Sequence, residues 1–367
     1  MAKKVLVAIS GGVDSSVVAA LMKKQNYNVT GVFMRPWQPT NDKKQITNNQ
    51  IDCLWKQDRE DALRVAAKLE IPLLTWDFSK EYGKFVAEYM IKGYQMGITP
   101  NPDVMCNKFI KFGVFLDRAL KFGVDYIATG HYVRKLNIKH QKSKLLKARD
   151  LNKDQSYFLY TLTQNQLKHC LFPVGDYLKT EVRRMAKKFG LPNWNKKDSQ
   201  GICFVGPLEF GKFLKRYIEP KRGLVVRKSD GKVLGEHDGA WFYTIGQRHG
   251  FSLNAGEPYY VVGKDILKNV LHVDSFENSK SQTLNSKQIL NSKIQIKSFS
   301  WINGHKNLPF RCKVKTRYRQ KDLDCVILKN GGDRAEVKIA VENIPIAPGQ
   351  SAVFYKGSEV LGGGIIV

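Results

Sequence analysis

The apolar residues Val5 to Ile9 run without interruption into Ser10-Gly11-Gly12-Val13-Asp14-Ser15, and this junction limits the folds open to the chain more than any other feature. An unbroken apolar run this short fits a strand buried on both faces, as in a parallel sheet. Beyond the loop, Ser15 to Lys24 sets Val17, Val18, Ala20 and Leu21 on one helical face. The alternation continues: Val29 to Met34, Pro72 to Phe78 and Asp125 to Thr129 read as strands, and Asp58 to Leu69 reads as a helix. The spacing predicts a doubly wound α/β sheet with right-handed crossovers. Ligands of such sheets sit beyond the carboxyl ends of the strands. Ser10–Ser15 and Thr129–His131 both fall at such ends and are expected to share one pocket.

Glycines in a strand-to-helix loop let backbone N–H groups approach a phosphate, and the helix start adds partial positive charge. Ser15 opens the helix and can donate a further hydrogen bond. The loop lacks the Gly-Lys-[Ser/Thr] ending of a Walker A motif. The simpler alternative, a Gly-Gly turn with a serine cap, does not call for two serines, two glycines and an aspartate together.

Sixty Lys and Arg against 33 Asp and Glu give a formal charge of +27. Such a field attracts polyanions, and nucleic acid is the expected partner, although a Lys- and Asn-rich composition can drift to this balance by itself. No run approaches the roughly 18 apolar residues of a membrane span. The N-terminal apolar stretch ends at Gly11-Gly12, which suits a strand better than a signal sequence. A cytoplasmic protein with no membrane partner is expected. Six cysteines, Cys53, Cys106, Cys170, Cys203, Cys312 and Cys325, form no CxxC pair and no His cluster at metal spacing, so no tightly bound metal is expected.

Two of these thiols have distinctive surroundings. Thr99-Pro100-Asn101-Pro102-Asp103-Val104-Met105-Cys106-Asn107 packs two prolines, an acid and a thiol into one short stretch. The prolines argue for a stiff, non-helical loop before a helix over Lys108–Leu120. Cys106 at that helix start would have its thiolate favoured by the dipole, and Asp103 could exchange protons with a substrate. Gly201 and Gly206 bracket Cys203, which suits a loop that collects a group and delivers it. For both cysteines a small buried residue is the competing reading.

Character changes after about residue 205. Gly223 to Arg227, Trp241 to Ile245 and Tyr259 to Gly263 read as short strands, and residues 276–297 as a polar linker or exposed loop. Alternating strands follow, including Arg311 to Thr316, Cys325 to Leu328 and Ala335 to Ile339, which suggests a small β-barrel or sandwich. Lys313, Lys315, Arg317, Arg319 and Lys321 would lie on one face of an extended strand. That stripe suits RNA phosphates, with Arg317 and Tyr318 able to stack on an unpaired base.

Ser-Gly-Gly-x-Asp-Ser resembles the loop of the PP-loop ATPases, which cleave ATP between the α and β phosphates. The longer set of motifs resembles the bacterial and organellar tRNA-specific 2-thiouridylases over nearly the whole chain. It comprises the loop, Gly31–Met34, Thr99–Lys108, Tyr126–Tyr132, Asn152–Tyr160, Leu171–Gly175, Asp198–Phe204, Lys315–Gln320 and Pro348–Val353. The resemblance implies a PP-loop catalytic domain over 1–205, a mostly-β central domain over 206–280 and a C-terminal, tRNA-contacting β-barrel over 281–367. It places ATP over Ala8, Ile9, Ser10, Gly11, Gly12, Val13, Asp14 and Ser15, with Met34 and Gly130 near the adenosine and Mg²⁺ balancing the phosphates. Asn101, Pro102 and Asp103 would line the target base, with Asp103 as acid or base. Cys203 would carry a persulfide received from a sulfur donor, a cysteine desulfurase or relay protein, and Cys106 would be the nucleophile. His131, Lys153, Asp154, Gln155, Arg317, Tyr318 and Gln350 would contact tRNA, and tRNAs for Lys, Glu and Gln are the implied substrates. Arg35-Pro36-Trp37 departs from the Asn-Trp the family often has after Met34, and Gln38 to Gln50 carries no recognisable motif. A PP-loop enzyme with another acceptor, such as an amide-forming synthetase, is the rival enzyme reading; a basic RNA-binding module is the non-enzymatic one.

Overall fold

The computed structural model describes residues 2–37, 49–138, 142–198, 210–253, 258–275, 291–340 and 346–367. The first sheet is parallel throughout, and its centre is β1 (Lys4–Ala8). Around it lie α1 (Val13–Lys24), β2 (Asn28–Arg35), α2 (Asn49–Leu69) and β3 (Leu73–Asp77). A helical stretch follows: α3 (Ser79–Tyr82), a wider π-type turn over Gly83–Ala87, and α4 (Glu88–Gln95). Next come α5 (Pro102–Met105), a second π-type segment over Cys106–Val114, α6 (Phe115–Lys121) and β4 (Tyr126–Ala128). After the hairpin β5 (Val133–Leu136) and β6 (Lys144–Lys147) come α7 (Gln164–Lys168), β7 (Cys170–Leu171) and α8 (Lys179–Lys188). Sheet order is β3-β2-β1-β4-β7.

The unbroken apolar run of β1 has its reason in two cores. Val5 and Val7 face a cluster with Val17, Val18 and Leu21 of α1 and Val182 and Ala186 of α8. Leu6, pointing the other way, joins Phe112, Phe115 and Leu116. A strand covered on both faces has no side for polar residues, and each such aliphatic side chain contributes about 1.5–3 kcal/mol by leaving water.

A second sheet holds β8 (Gly223–Arg227), β9 (Val233–His237), β10 (Ser252–Leu253), β11 (Tyr259–Asp265) and β12 (Val270–Ser275), after a short α9 (Phe210–Leu214). Trp241–Ile245, expected as a strand, is instead a single 3₁₀ turn over Ala240–Phe242 and an open segment. Gly239 enters it at φ +139° beside the Trp241 ring, a bend no continuous strand makes.

The third sheet contains a closed barrel of β13 (Asn291–Trp301), β14 (Phe310–Lys315), β15 (Leu323–Gly331), β16 (Arg334–Ala340), β17 (Ser351–Lys356) and β18 (Glu359–Ile366). Strand β18 pairs with both β17 and β13, which closes it. Strand β13 begins at Asn291, inside the expected linker and a little before Ile294, from about which strands were expected, and Ile294 and Ile296 alternate into the barrel core. The expected cationic stripe is also corrected. Strand β14 stops at Lys315, and Thr316 to Gln320 form a turn in which Gln320 Oε1 accepts from the backbone N–H of Thr316 at 2.7 Å and of Arg317 at 3.1 Å. With Arg319 at φ +62° the alternation is lost, so the cations do not share one face.

The barrel is not separate from the nucleotide domain. Hairpin β5–β6 extends the barrel sheet, pairing with β18 at Leu146 and Glu359. On β17, Ala352 and Phe354 face the barrel core, whereas Val353 and Tyr355 join Leu6, Tyr157 and Tyr160 in the N-terminal core.

Candidate nucleotide and thiol site

The phosphate loop leaves β1 and enters α1 at Gly12, which caps the helix without a side-chain hydrogen bond. The first-turn N–H groups therefore remain available to an anion. Gly11 sits at φ +76°, and a Cβ there would lie 2.2 Å from the Asp58 carbonyl oxygen of α2. The two serines brace the loop: Ser15 Oγ accepts from Ser10 N at 3.2 Å and donates to the Gly12 carbonyl at 3.0 Å. Asn193, 5% exposed, donates to the Gly11 carbonyl and to Ser16 Oγ, both at 2.9 Å.

As the topology required, Thr129–His131 meets this loop. Strand β4 pairs directly with β1, and a Cβ on Gly130 would lie 3.2 Å from Ser15 N. Met34, half-buried, lies near the end of β2 on the other side of β1. Tyr132 donates to Asp14 Oδ1 at 2.8 Å, and the Lys179 ammonium lies 2.6 Å from the same oxygen. Lys179 also pairs with Asp198 at 2.9 Å, and Asp198 takes Lys153 at 2.8 Å and Arg183 at 2.6 Å. Burial alone would raise the Asp198 carboxyl, but the hydrogen bonds from Lys153 and Lys179 outweigh it and hold it well below the usual carboxylate range. Asn193 and Lys179 stand far from the loop in sequence, and neither their residue type nor their neighbours mark them as part of it.

His131 is 7% exposed, packs against Phe112 and shares a 2.8 Å hydrogen bond with Thr129 Oγ1. Burial, and then the nearby Lys111 ammonium, hold its imidazole well below the ordinary 6.5. The folded chain keeps this group neutral while the unfolded chain takes up a proton below pH 6.5. Stability therefore falls with pH from that point downward, by up to about 1.4 kcal/mol per unit. Between pH 7 and pH 5 the wild type is expected to lose more stability than His131→Gln, by up to about 2 kcal/mol, read by urea denaturation at both pH values. Equal losses would mean that His131 ionises as freely folded as unfolded.

The segment around Asp103 and Cys106 is helical, which corrects the expectation of a non-helical loop. Pro102 occupies the first helical position, where its missing N–H is no loss, and Asn101 caps the turn by accepting from Val104 N at 3.3 Å. Asn101 is buried, Pro102 and Asp103 are half-buried, and Cys106 is wholly buried beside Val104, Ile110 and Phe112. The helical turns after Cys106 bring Lys111 Nζ to 3.5 Å from His131 Nε2, which ties this segment to the nucleotide side. The other domains hold its start: Gln350 Nε2 donates to the Thr99 carbonyl at 2.9 Å, and Thr99 Oγ1 bonds Thr244 Oγ1 at 3.2 Å. Gln350 and the Asn101–Asp103 turn are thus neighbours. Cys203 lies outside the described residues, as does the side chain of Cys53, whose backbone belongs to α2.

The remaining residues expected at RNA divide. Lys153 is partly exposed and bonded to Asp198. Asp154 is 5% exposed and accepts from Ala148 N at 3.0 Å and Ser156 Oγ at 2.9 Å, so it organises the turn from inside. Gln155 Oε1 accepts from Tyr132 N at 2.9 Å. Arg317, half-buried, donates to the Ile245 carbonyl, and burial lowers its pKa. Tyr318 lies with its ring 4.6 Å from that of Phe158.

Comparison with known proteins bears on the whole chain. Residues 3–207 match the family described as tRNA methyl transferase HUP domain. Residues 211–275 match the tRNA methyl transferase PRC-barrel domain, and 291–366 the aminomethyltransferase beta-barrel domain. The tRNA-specific 2-thiouridylase of Geobacillus thermodenitrificans is 44% identical over 366 residues, 99% of this chain and 94% of that protein. That of Blochmanniella floridana is 45% identical over 372 residues, covering 100% and 96%. The protein of the same name from Bacillus licheniformis is 44% identical over 365 residues, covering 99% and 94%. A likeness of this extent, running through all three sheets, makes the chain a member of the tRNA-specific 2-thiouridylase family.

Proposed function

We propose that the chain is a tRNA uridine 2-sulfurtransferase that activates the C2 oxygen of the wobble uridine, position 34, with ATP and then replaces it with sulfur. Identity at 44–45% sustained over the full length of proteins bearing that name is the observation that carries this reading. We assign nucleotide chemistry to residues 1–205 and RNA contact chiefly to the barrel, 281–367, with residues 206–280 between them. Substrates are tRNAs for Lys, Glu and Gln, the sulfur comes from a cysteine desulfurase or a relay protein, and the cytoplasm supplies ATP and tRNA together.

A uridine C2 carbonyl resists substitution because its oxygen is a poor leaving group. Attack of that oxygen on the α-phosphorus of ATP expels pyrophosphate and turns it into part of AMP, a good one. The loop over Ala8–Ser15 receives the phosphates through its backbone donors, and Mg²⁺ enters with the nucleotide as their counter-ion. The terminal sulfur of a Cys203 persulfide, or hydrosulfide released from it, then attacks C2 and AMP departs. In either order Cys106 thiolate attacks the inner Cys203 sulfur, giving a Cys106–Cys203 disulfide that a thiol reductant must reopen. Asp103, half-buried one turn before Cys106, acts as the acid or base that moves the proton.

The test is mass spectrometry of nucleosides from unmodified tRNA incubated with the enzyme, ATP, cysteine and a cysteine desulfurase. 2-Thiouridine formed with one AMP per modified base is expected. AMP production with no thionucleoside would defeat the reading.

A further inference from the structure

The phosphate loop contains no cation of its own. A Walker loop supplies a lysine from within, whereas the charged side chain here is the carboxylate of Asp14. A polyphosphate laid on this loop needs positive charge from elsewhere in the fold. Two lysines lie close. Lys196 is held by Asp58 at 2.7 Å and Asp61 at 2.6 Å, neither of them in the loop. Lys179 reaches the loop itself, 2.6 Å from Asp14 Oδ1, with a side chain only 11% exposed.

Resting on the adenylating function proposed above, we propose that Lys179 is the polyphosphate-binding cation of this site, held between Asp14 and Asp198 until ATP arrives. An ammonium has three donors and no directional fork, so it can exchange one oxygen partner for another with little movement. The partner to be exchanged is Asp198, which keeps Lys153 and Arg183 when Lys179 turns away. Asp14 loses nothing either, since Tyr132 still donates to it at 2.8 Å. Lys179 is anchored for this role: its own backbone N–H is bonded to Asp150 Oδ2 at 2.9 Å, which fixes the root of the side chain at the start of α8.

A purely structural bridge between α1 and α8 makes a different prediction. If the ion pair only held the fold together, removing either partner would weaken the site alike. If Lys179 binds phosphate, removing Asp198 frees the cation instead. Titration calorimetry of the full chain with MgATP separates the two. Lys179→Met is expected to raise the dissociation constant at least about tenfold, the worth of a charge-assisted hydrogen bond to phosphate. Asp198→Asn is expected to bind MgATP as tightly as wild type or more tightly. Unchanged affinity in Lys179→Met, or a weakening by Asp198→Asn equal to that of Lys179→Met, overturns the proposal. Should Lys179→Met not fold, Asp198→Asn decides alone, any loss of affinity counting against it. Failure of the wild type to bind MgATP would strike at the adenylating function and not at this residue.

Discussion

Serine in place of Cys203 or Cys106 is expected to abolish formation of 2-thiouridine, by at least about a thousandfold, while tRNA-dependent release of pyrophosphate survives. A hydroxyl carries no persulfide, and its oxygen cannot accept sulfur and later yield it as a thiolate does. Activation of the uridine oxygen precedes both thiols and uses neither. Parallel assays of pyrophosphate and thionucleoside on the same reaction therefore split the two half-reactions. Wild-type thiolation in both variants would eliminate the persulfide route. The burial of Cys106 sharpens this expectation. Its sulfur lies in the apolar cluster of Val104, Ile110 and Phe112, out of reach of any reagent in this conformation. Attack on Cys203 therefore requires the turns around Cys106 to shift once RNA is in place, and iodoacetamide is expected to label Cys106 slowly in the free enzyme.

Gly11→Ala is expected to weaken ATP binding by about a hundredfold or more, with the fold retained. Two costs coincide. The backbone at φ +76° disfavours any L side chain by about 1–2 kcal/mol, and the new Cβ would overlap the Asp58 carbonyl oxygen at 2.2 Å. That oxygen belongs to the backbone of α2 and cannot swing aside, so the loop must move, and its N–H groups move with it. Gly357→Ala is the control. It too has positive φ, +58°, but no atom lies within 4 Å of its Cβ. It should lower the melting temperature by a few degrees and leave ATP affinity alone. Equal ATP affinity in the two variants would show that loop geometry does not set binding.

The architecture was legible because its signals are local. Val5–Ile9 is apolar on both faces, and only a covered strand tolerates that; the adjoining Gly-Gly turn then fixed where a phosphate can lie. The 99–107 segment misled for a reason equally local. Pro102 reads as a helix breaker until it stands at the first helical position, where it starts one. The stripe from Lys313 to Lys321 failed because alternation in sequence implies a face only while the strand lasts, and Gln320 ends it by capturing the backbone of Thr316 and Arg317. Lys179 and Asn193 were invisible for another cause. They reach the loop from about 165 and 182 residues away, a distance over which pairing is decided by tertiary packing.

The hairpin β5–β6 and the inward faces of β17 and β18 set the order in which the protein can be assembled. Tyr157 donates to the Ser351 carbonyl at 2.8 Å, a contact spanning 194 residues, and Val353, Tyr355, Val360 and Ile365 complete the core around Leu6. On the ribosome the nucleotide domain emerges first but lacks one wall until β17 and β18 follow. Contacts of such long range slow folding and leave apolar surface open meanwhile. The nascent N-terminal half therefore keeps that face uncovered until the barrel strands pack against it.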